Sequence, residues 1–334
     1  MASNVDVFTR RGQGPRVAKA RKKQKTEKPP AAKAVGVPPV TVLAAPEAAS
    51  PALDTASPRR EMAPRRPALD SERKRWAVGL TLVVALFGAW MWWRHTQALG
   101  DDRAELLHLN IVAEHPHDRA AFTQGLQWID GTLYESTGLR GQSSLRRINL
   151  ADWSVQQHVD LPDTVFGEGI AVAGDRIFQI SWQDGIAYVW NRRTFARITE
   201  HRYQGEGWGL CWDGEHLVMS DGTDRLAFRD PDTFRVVREV HVHRGSRAID
   251  QLNELECVDG VVYANVWQTN DIARIDPKNG EVTGWIDASD LLTEQQASEA
   301  DVLNGITYLP DSGRFLLTGK LWPRSFEVEF VPNE

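Results

Sequence analysis

Five short stretches recur along the chain: Phe122-Thr-Gln-Gly-Leu126, Phe166-Gly-Glu-Gly-Ile170, Gly207-Trp-Gly-Leu210, Leu252-Asn-Glu-Leu255 and Leu303-Asn-Gly-Ile306. Each opens an apolar, β-rich run. Each run then turns at a glycine, at Asp130-Gly131, Gly174-Asp175, Asp213-Gly214, Asp259-Gly260 and Ser312-Gly313. Alignment on those turns places Gln124, Glu168, Trp208, Asn253 and Asn304 in equivalent positions, 44, 40, 45 and 51 residues apart. Strand signals at a period of roughly 40–50 residues are the signature of a β-propeller, and five copies imply five blades. The innermost strand of each blade lines the central channel, so the five equivalent side chains are expected to converge at one of its mouths.

The rest of each repeat reads as further strands. Second strands are expected at 133–137, 177–182, 217–221, 262–267 and 315–320, and third strands at 144–148, 187–190, 225–228, 272–275 and 326–330. Fourth strands follow at 155–161, 196–203, 235–242 and 282–286, but the last repeat runs out of chain before its own. Residues 107–113 precede the first repeat and supply the missing strand, which closes the ring without a free, aggregation-prone edge. Two long connections, 244–252 and 287–302, are expected to overhang the channel mouth, the second with a short helix within 291–300. Loops of this kind carry function more often than the scaffold that holds them.

The charge is divided unevenly. Residues 1–75 hold 17 Lys and Arg against 7 Asp and Glu, so +10, and the remainder holds 22 against 38, so −16; the overall −6 describes neither part. Rich in Pro and Ala, with Phe8 as its one aromatic residue, the tract 1–75 cannot bury enough apolar surface to offset chain entropy and is expected to be a disordered basic tail. Contact with anionic lipid suits it better than nucleic acid, since nothing in it supports base stacking. Trp76–Trp93 is an 18-residue run without a charge. As a helix it covers about 27 Å, close to the hydrocarbon thickness of a bilayer. Trp76 at one end and Trp90, Trp92 and Trp93 at the other suit the two interfaces. The length of chain before it and the Met-Trp-Trp-Arg-His that ends it argue for a signal anchor rather than a cleaved signal peptide. Arg73-Lys74-Arg75 before it and Asp101-Asp102 after it place the N-terminus in the cytoplasm. The expected organisation is therefore a cytoplasmic tail (1–75), a transmembrane helix (76–93), a linker (94–106) and an all-β five-bladed propeller (107–331) in the periplasm of a bacterium. The two cysteines, Cys211 and Cys257, sit on first strands of neighbouring repeats at offsets that differ by one residue. That difference tends to put them on opposite faces of the pleat and predicts no structural disulfide.

The motifs of residues 108–330 resemble, jointly and in order, the plant-type glutaminyl-peptide cyclotransferases, a five-bladed propeller family with bacterial members. The resemblance rests on Glu114-His-Pro-His-Asp-Arg-Ala-Ala-Phe-Thr-Gln-Gly-Leu126, Phe166-Gly-Glu-Gly-Ile170, Asn253-Glu-Leu-Glu256, Asn265-Val-Trp267, Leu303-Asn-Gly-Ile306 and Thr318-Gly-Lys320. It does not extend to residues 1–106. It implies conversion of an N-terminal Gln of a peptide or protein to pyroglutamate with release of ammonia. The α-amine attacks the γ-carboxamide, which needs the flexible Gln folded back on itself, a proton acceptor that returns its proton to the leaving nitrogen, and donors for the oxyanion.

Glu168 is the one acid among the five equivalent positions and the candidate proton shuttle; a channel carboxylate binding a structural cation is the bland alternative. Gln124 and Asn253 both donate and accept, so they suit holding the amide and amine in register, and Asn304 is read the same way against a simple turn role. Lys320 occupies the second-strand position that Trp182 and Trp267 fill in other repeats and is the candidate oxyanion partner, against a snorkelling surface lysine. Phe122, Phe166, Trp182, Trp208 and Trp267 are expected to wall the pocket, and the other ring residues to pack the blades. His115 and His117 read as loop residues. No His, Asp and Glu spacing matches the zinc-dependent class of glutaminyl cyclases, so metal-independent catalysis is expected, with a structural Ca²⁺ in the channel left open. The competing readings are a non-catalytic periplasmic propeller that binds peptides or proteins, and a propeller lactonase using a metal held by a set such as Glu168, Asn253 and Asn304.

Overall fold

The computed structural model describes Gly88 and residues 104–333. The tract 1–75 and, apart from Gly88, the run Trp76–Trp93 lie outside the described residues. Among the described residues no helix is long and apolar enough to cross a membrane.

Strand composition grades outward through each sheet, and burial follows it. The chain enters through β1 (Glu105–Pro116). The first sheet is β2 (Thr123–Ile129), β3 (Thr132–Thr137), β4 (Ser144–Asn149) and β5 (Ser154–Asp160); the second is β6 (Gly167–Ala173), β7 (Arg176–Ser181), β8 (Ile186–Asn191) and β9 (Arg197–Arg202). The third is β10 (Leu210–Trp212), β11 (Leu217–Ser220), β12 (Arg225–Arg229) and β13 (Val236–His241). After the two-residue strands β14 (His243–Arg244) and β15 (Arg247–Ala248) come β16 (Leu252–Val258), β17 (Val261–Val266), β18 (Asp271–Ile275) and β19 (Val282–Asp287). The helix α1 (Glu294–Glu299) follows, and β20 (Leu303–Leu309), β21 (Arg314–Gly319) and β22 (Arg324–Pro332) end the chain. Small and apolar β6 is buried along its whole length, whereas β13, with its charged residues, is mostly exposed. Thr293 caps α1 in a reciprocal bond with Gln296.

The consecutive strands of each repeat form an antiparallel meander, and several hairpins use the expected turns. Asp130-Gly131 and Asp259-Gly260 both take positive φ, the backbone that a tight two-residue hairpin requires. The first strands β2, β6, β10, β16 and β20 contact one another in a closed cycle, which makes the all-β fold propeller-like. The last sheet completes itself as expected: β1 pairs antiparallel with β22, next to β21 and β20. It also pairs in parallel with β19, joining β16–β19 and β20–β22 into one eight-stranded sheet.

The absence of a disulfide expected from the pleat is corrected: Cys211 and Cys257 are bonded, with Cα atoms 5.5 Å apart. The one-residue offset does direct the two side chains to opposite faces of their own sheets. Neighbouring sheets, however, stack face to face, so opposite faces are the ones that meet. Cys211 and Cys257 accordingly fall in a single apolar layer with Val218, Phe228, Leu255 and Val262. His115, read as a loop residue, is corrected as well, whereas His117 lies in a loop as expected. His115 is part of β1 and stacks on Trp153. His117 lies just beyond β1, and its Nε2 sits 2.9 Å from the buried Glu135 carboxylate.

Candidate active site

The equivalent positions share a backbone device. In four first strands the ladder slips by one residue there, between Thr123 and Gly125, Gly167 and Ile170, Leu252 and Leu255, and Leu303 and Ile306. The bulge holds Gln124, Glu168, Asn253 and Asn304, and such a bulge re-aims a side chain. Trp208 stands just ahead of β10, its N–H donating to the Ser220 carbonyl. The glycine that follows most of these positions lets the strands crowd together. A Cβ on Gly169 would lie 2.6 Å from the Leu210 nitrogen and 2.8 Å from the Trp208 carbonyl oxygen.

Gln124, Glu168, Trp208 and Asn253 line one cavity of about 280 Å³ with Phe122, Phe166, Trp182, Trp267, Lys320 and Asp301. Nine of the ten residues predicted from the sequence are thus brought together. The tenth, Asn304, is wholly buried behind Gln124; its Nδ2 donates to the Gln124 Oε1 at 3.1 Å and to the Thr123 carbonyl at 2.9 Å. Gln124 passes the orientation on, its Nε2 donating to Glu168 Oε1 at 2.9 Å. Asn304 therefore fixes which way the Gln124 amide points, so that the amine end meets Glu168.

Electrostatics separates the polar groups. Burial pushes the Glu168 carboxyl well above the usual carboxylate range; the Lys320 ammonium opposes this and the Glu206 charge adds to it. Burial likewise lowers Lys320, against the pull of Glu168 and Asp301. Lys320 Nζ lies 5.0 Å from the centre of the Phe122 ring, and the side chain is only 5% exposed. Among the described residues neither its ammonium nor the Asn253 carboxamide has a hydrogen-bond partner in the protein, so both are open to a ligand in the cavity.

The walls are rigid. Phe122 packs edge-on to Phe166, Phe166 to Trp182, and Trp208 to Trp267, with centroids 5.4–6.1 Å apart. Gly222, at φ +80°, lies against the Trp208 ring, where a Cβ would come within 2.6 Å. Glu206 fixes both indoles: its Oε2 accepts from Trp182 Nε1 at 2.7 Å and from Trp208 Nε1 at 3.0 Å. Burial opposes ionisation of Glu206, but the hydrogen bonds from Gln183, Trp208 and Trp182 prevail and hold its pKa low.

Glu206 and Asp301 escaped the sequence reading, as did Glu254 and Glu256. A signal existed for Glu206, since it occupies the position filled by Phe122 and Phe166 in other repeats. For Glu254 the signal was the break in a column that reads Gly125, Gly169, Gly209 and Gly305 elsewhere. Its carboxylate spans the channel, Oε1 accepting from Leu126 N at 3.1 Å and Oε2 from Ile306 N at 2.8 Å. Glu256 accepts from Tyr308 N, Thr307 Oγ1 and Gln127 Nε2. Among the described residues no group of three or more His, Cys, Asp or Glu side chains is placed to hold a metal ion.

An all-β, propeller-like scaffold thus gathers a buried carboxyl, an amide relay, a lysine and an aromatic cage around one cavity, the arrangement of an enzyme site. The family model described as glutamine cyclotransferase matches residues 82–330, well over half of the chain, and the chain belongs to that family. It is 36% identical over 291 residues to the glutaminyl-peptide cyclotransferase of Arabidopsis thaliana, covering 84% of this chain and 88% of that one. Among solved structures, the glutaminyl cyclase of Myxococcus xanthus matches with a TM-score of 0.65 and 42% identity, over 69% of this chain and all of that one.

Proposed function

We infer that this chain is a glutaminyl-peptide cyclotransferase, acting on peptides or proteins with an N-terminal Gln, and that Glu168 is its proton shuttle. The observation that carries the assignment of roles is the pairing of a buried, high-pKa carboxyl with two unpartnered donors, Lys320 and Asn253, inside one aromatic cavity. The substrate α-amine, in its neutral form, attacks the side-chain amide carbon. The new C–N bond closes the five-membered lactam, and the carbonyl electron pair moves to oxygen. Lys320 and Asn253 donate to that oxygen. Glu168, as the carboxylate, takes the proton that the attacking nitrogen must lose and returns it to the departing nitrogen. As the oxyanion's electron pair re-forms the carbonyl, the C–N bond breaks, ammonia leaves and the carboxylate is regenerated. Burial, by raising the Glu168 pKa above the usual carboxylate range, makes its carboxylate a better acceptor for that proton. The aromatic walls favour the neutral amide over a carboxylate, whose desolvation is costly.

The finer architecture is proposed as a five-bladed propeller, supported by the closed cycle of first strands and by β1 as the outer strand of the last sheet. Trp76–Trp93 is proposed as a single-pass inner-membrane anchor with the propeller in the periplasm. The Cys211–Cys257 disulfide supports an oxidising compartment. Catalysis is proposed to need no metal.

The test is ammonia release from a Gln-initiated dipeptide amide by wild type and Glu168→Gln, each with and without EDTA. The expected result is chelator-resistant activity that falls by about 10²–10⁴ in the variant with its fold intact. A folded wild type that is silent on several Gln peptides would sink the cyclase reading. Activity abolished by EDTA would sink metal independence.

A further inference from the structure

A second cavity of about 580 Å³ adjoins the first, and the two share Trp267 as a wall. It is formed by the 244–251 connection on one side and the ends of β17, β18 and β19 on the other, with Arg247, Ile249, Asp250, Gln251 and Trp285 among its lining. The chain passes from the larger cavity to the smaller within three residues, since Gln251 lines one and Asn253 the other. Extended backbone advances about 3.3–3.6 Å per residue, so the step is roughly 7 Å. Gln251 makes it in the left-handed region, at φ +62°, pinned by its N–H to the Gly222 carbonyl and by its carbonyl to the Trp267 N–H.

A polypeptide whose N-terminal Gln occupies the smaller cavity must continue out of it. We propose that the residues following the N-terminal Gln run past Trp267 into the larger cavity, and that Arg247 there selects an acidic side chain of the substrate. This rests on the cyclase reading of the smaller cavity. The larger one is not an apolar void: it presents Arg247 and Asp250, both exposed and, among the described residues, with no ion-pair partner. Asp250, an acceptor only, suits a substrate backbone N–H, while the guanidinium fork of Arg247 matches a carboxylate. Trp267 and Trp285 offer flat, low-entropy surfaces to the chain between them.

The experiment compares kcat/KM for Gln-Ala amide, Gln-Ala-Glu-Ala and Gln-Ala-Lys-Ala in the full-length wild type and in Arg247→Glu. Calorimetric binding of the corresponding pyroglutamyl tetrapeptides accompanies it. The expected result is a preference for the Glu over the Lys tetrapeptide of about threefold to fivefold, the scale of one partly exposed ion pair, which reverses in Arg247→Glu. The dipeptide rate should be unchanged by the substitution. Equal rates for the two tetrapeptides in wild type, or a preference that survives Arg247→Glu, would overturn the proposal while leaving the cyclase reading intact. No ammonia from any peptide would instead overturn the cyclase reading. In that event calorimetry decides the cavity: Arg247-dependent binding of the Glu peptide sustains it and no such binding rejects it.

Discussion

Glu256 gives the sharpest thermodynamic prediction. Its carboxyl is 3% exposed, and burial raises its pKa from 4.5 to about 8 against the hydrogen bonds from Tyr308, Thr307 and Gln127. The folded protein therefore binds a proton that the unfolded chain has released over the interval between those values. Its stabilising contribution is complete below 4.5 and is lost as pH rises through about 8. Each unit corresponds to about 1.4 kcal/mol, so roughly 5 kcal/mol is at stake across the window, part of it shared with Glu254 because the two titrate as a pair. Glu256→Gln removes the titration. Its amide oxygen still accepts from Tyr308, and a turned-over Gln127 amide can accept from its NH₂. Urea unfolding of the disulfide-intact protein, followed between about pH 5 and about pH 9, should show wild-type stability declining more steeply than that of the variant, the difference being the Glu256 contribution. Glu168, Glu254 and His117, whose pKa values are also raised, add declines of their own, but they do so in both proteins and drop out of the difference. A wild-type stability that is flat or rises over this range, or a variant that keeps the full slope, would mean that Glu256 is ionised in the fold and would refute the reasoning.

Two further substitutions probe the site's scaffold. Gly169→Ala places a methyl against the Leu210 nitrogen and the Trp208 carbonyl and should cost about 1–3 kcal/mol of stability, read as a lower denaturation midpoint. Glu206→Gln replaces the charged oxygen that both indoles share with a neutral amide oxygen. It should raise KM for Gln peptides about tenfold, the scale of one hydrogen bond to a charged group, with a smaller effect on kcat; an unchanged KM would show that the indoles hold their places without it.

Much of this molecule was legible because the repeat is strict where the backbone is strained. The Gly turns and the bulged positions fix a common register, and that register alone picked out Gln124, Glu168, Trp208 and Asn253. What it missed lay in relations between repeats. The alternation of a strand tells which face a cysteine takes, but not that the facing sheet presents its opposite side, so the Cys211–Cys257 bond was misjudged. Asn304 shares the bulge position yet acts one layer back, because the Gln124 side chain is long enough to fill the channel in front of it. Glu254 and Glu256 read as ordinary strand residues. Their acceptor role depends on amides of β2 and β20, which lie more than a hundred residues upstream and about fifty downstream.

The double attachment of β1 bears on how the molecule acquires its shape. The strand is among the first parts of the folded region to be synthesised, and its antiparallel partner, β22, is the last. Leu107 faces Pro332 and Pro116 faces Arg324. Its parallel partner, β19, also lies far along the chain, with Leu107 beside Ile286. Neither ladder can form on a nascent chain until most of the sequence has emerged, and loops of that length close slowly. The sheets in between are local meanders that can mature in order of synthesis. Assembly therefore ends in one late event, in which the waiting leading strand is captured between two finished sheets. A chain lacking β22 would keep the meanders of the earlier repeats and lose the strand that holds β1 to the last one.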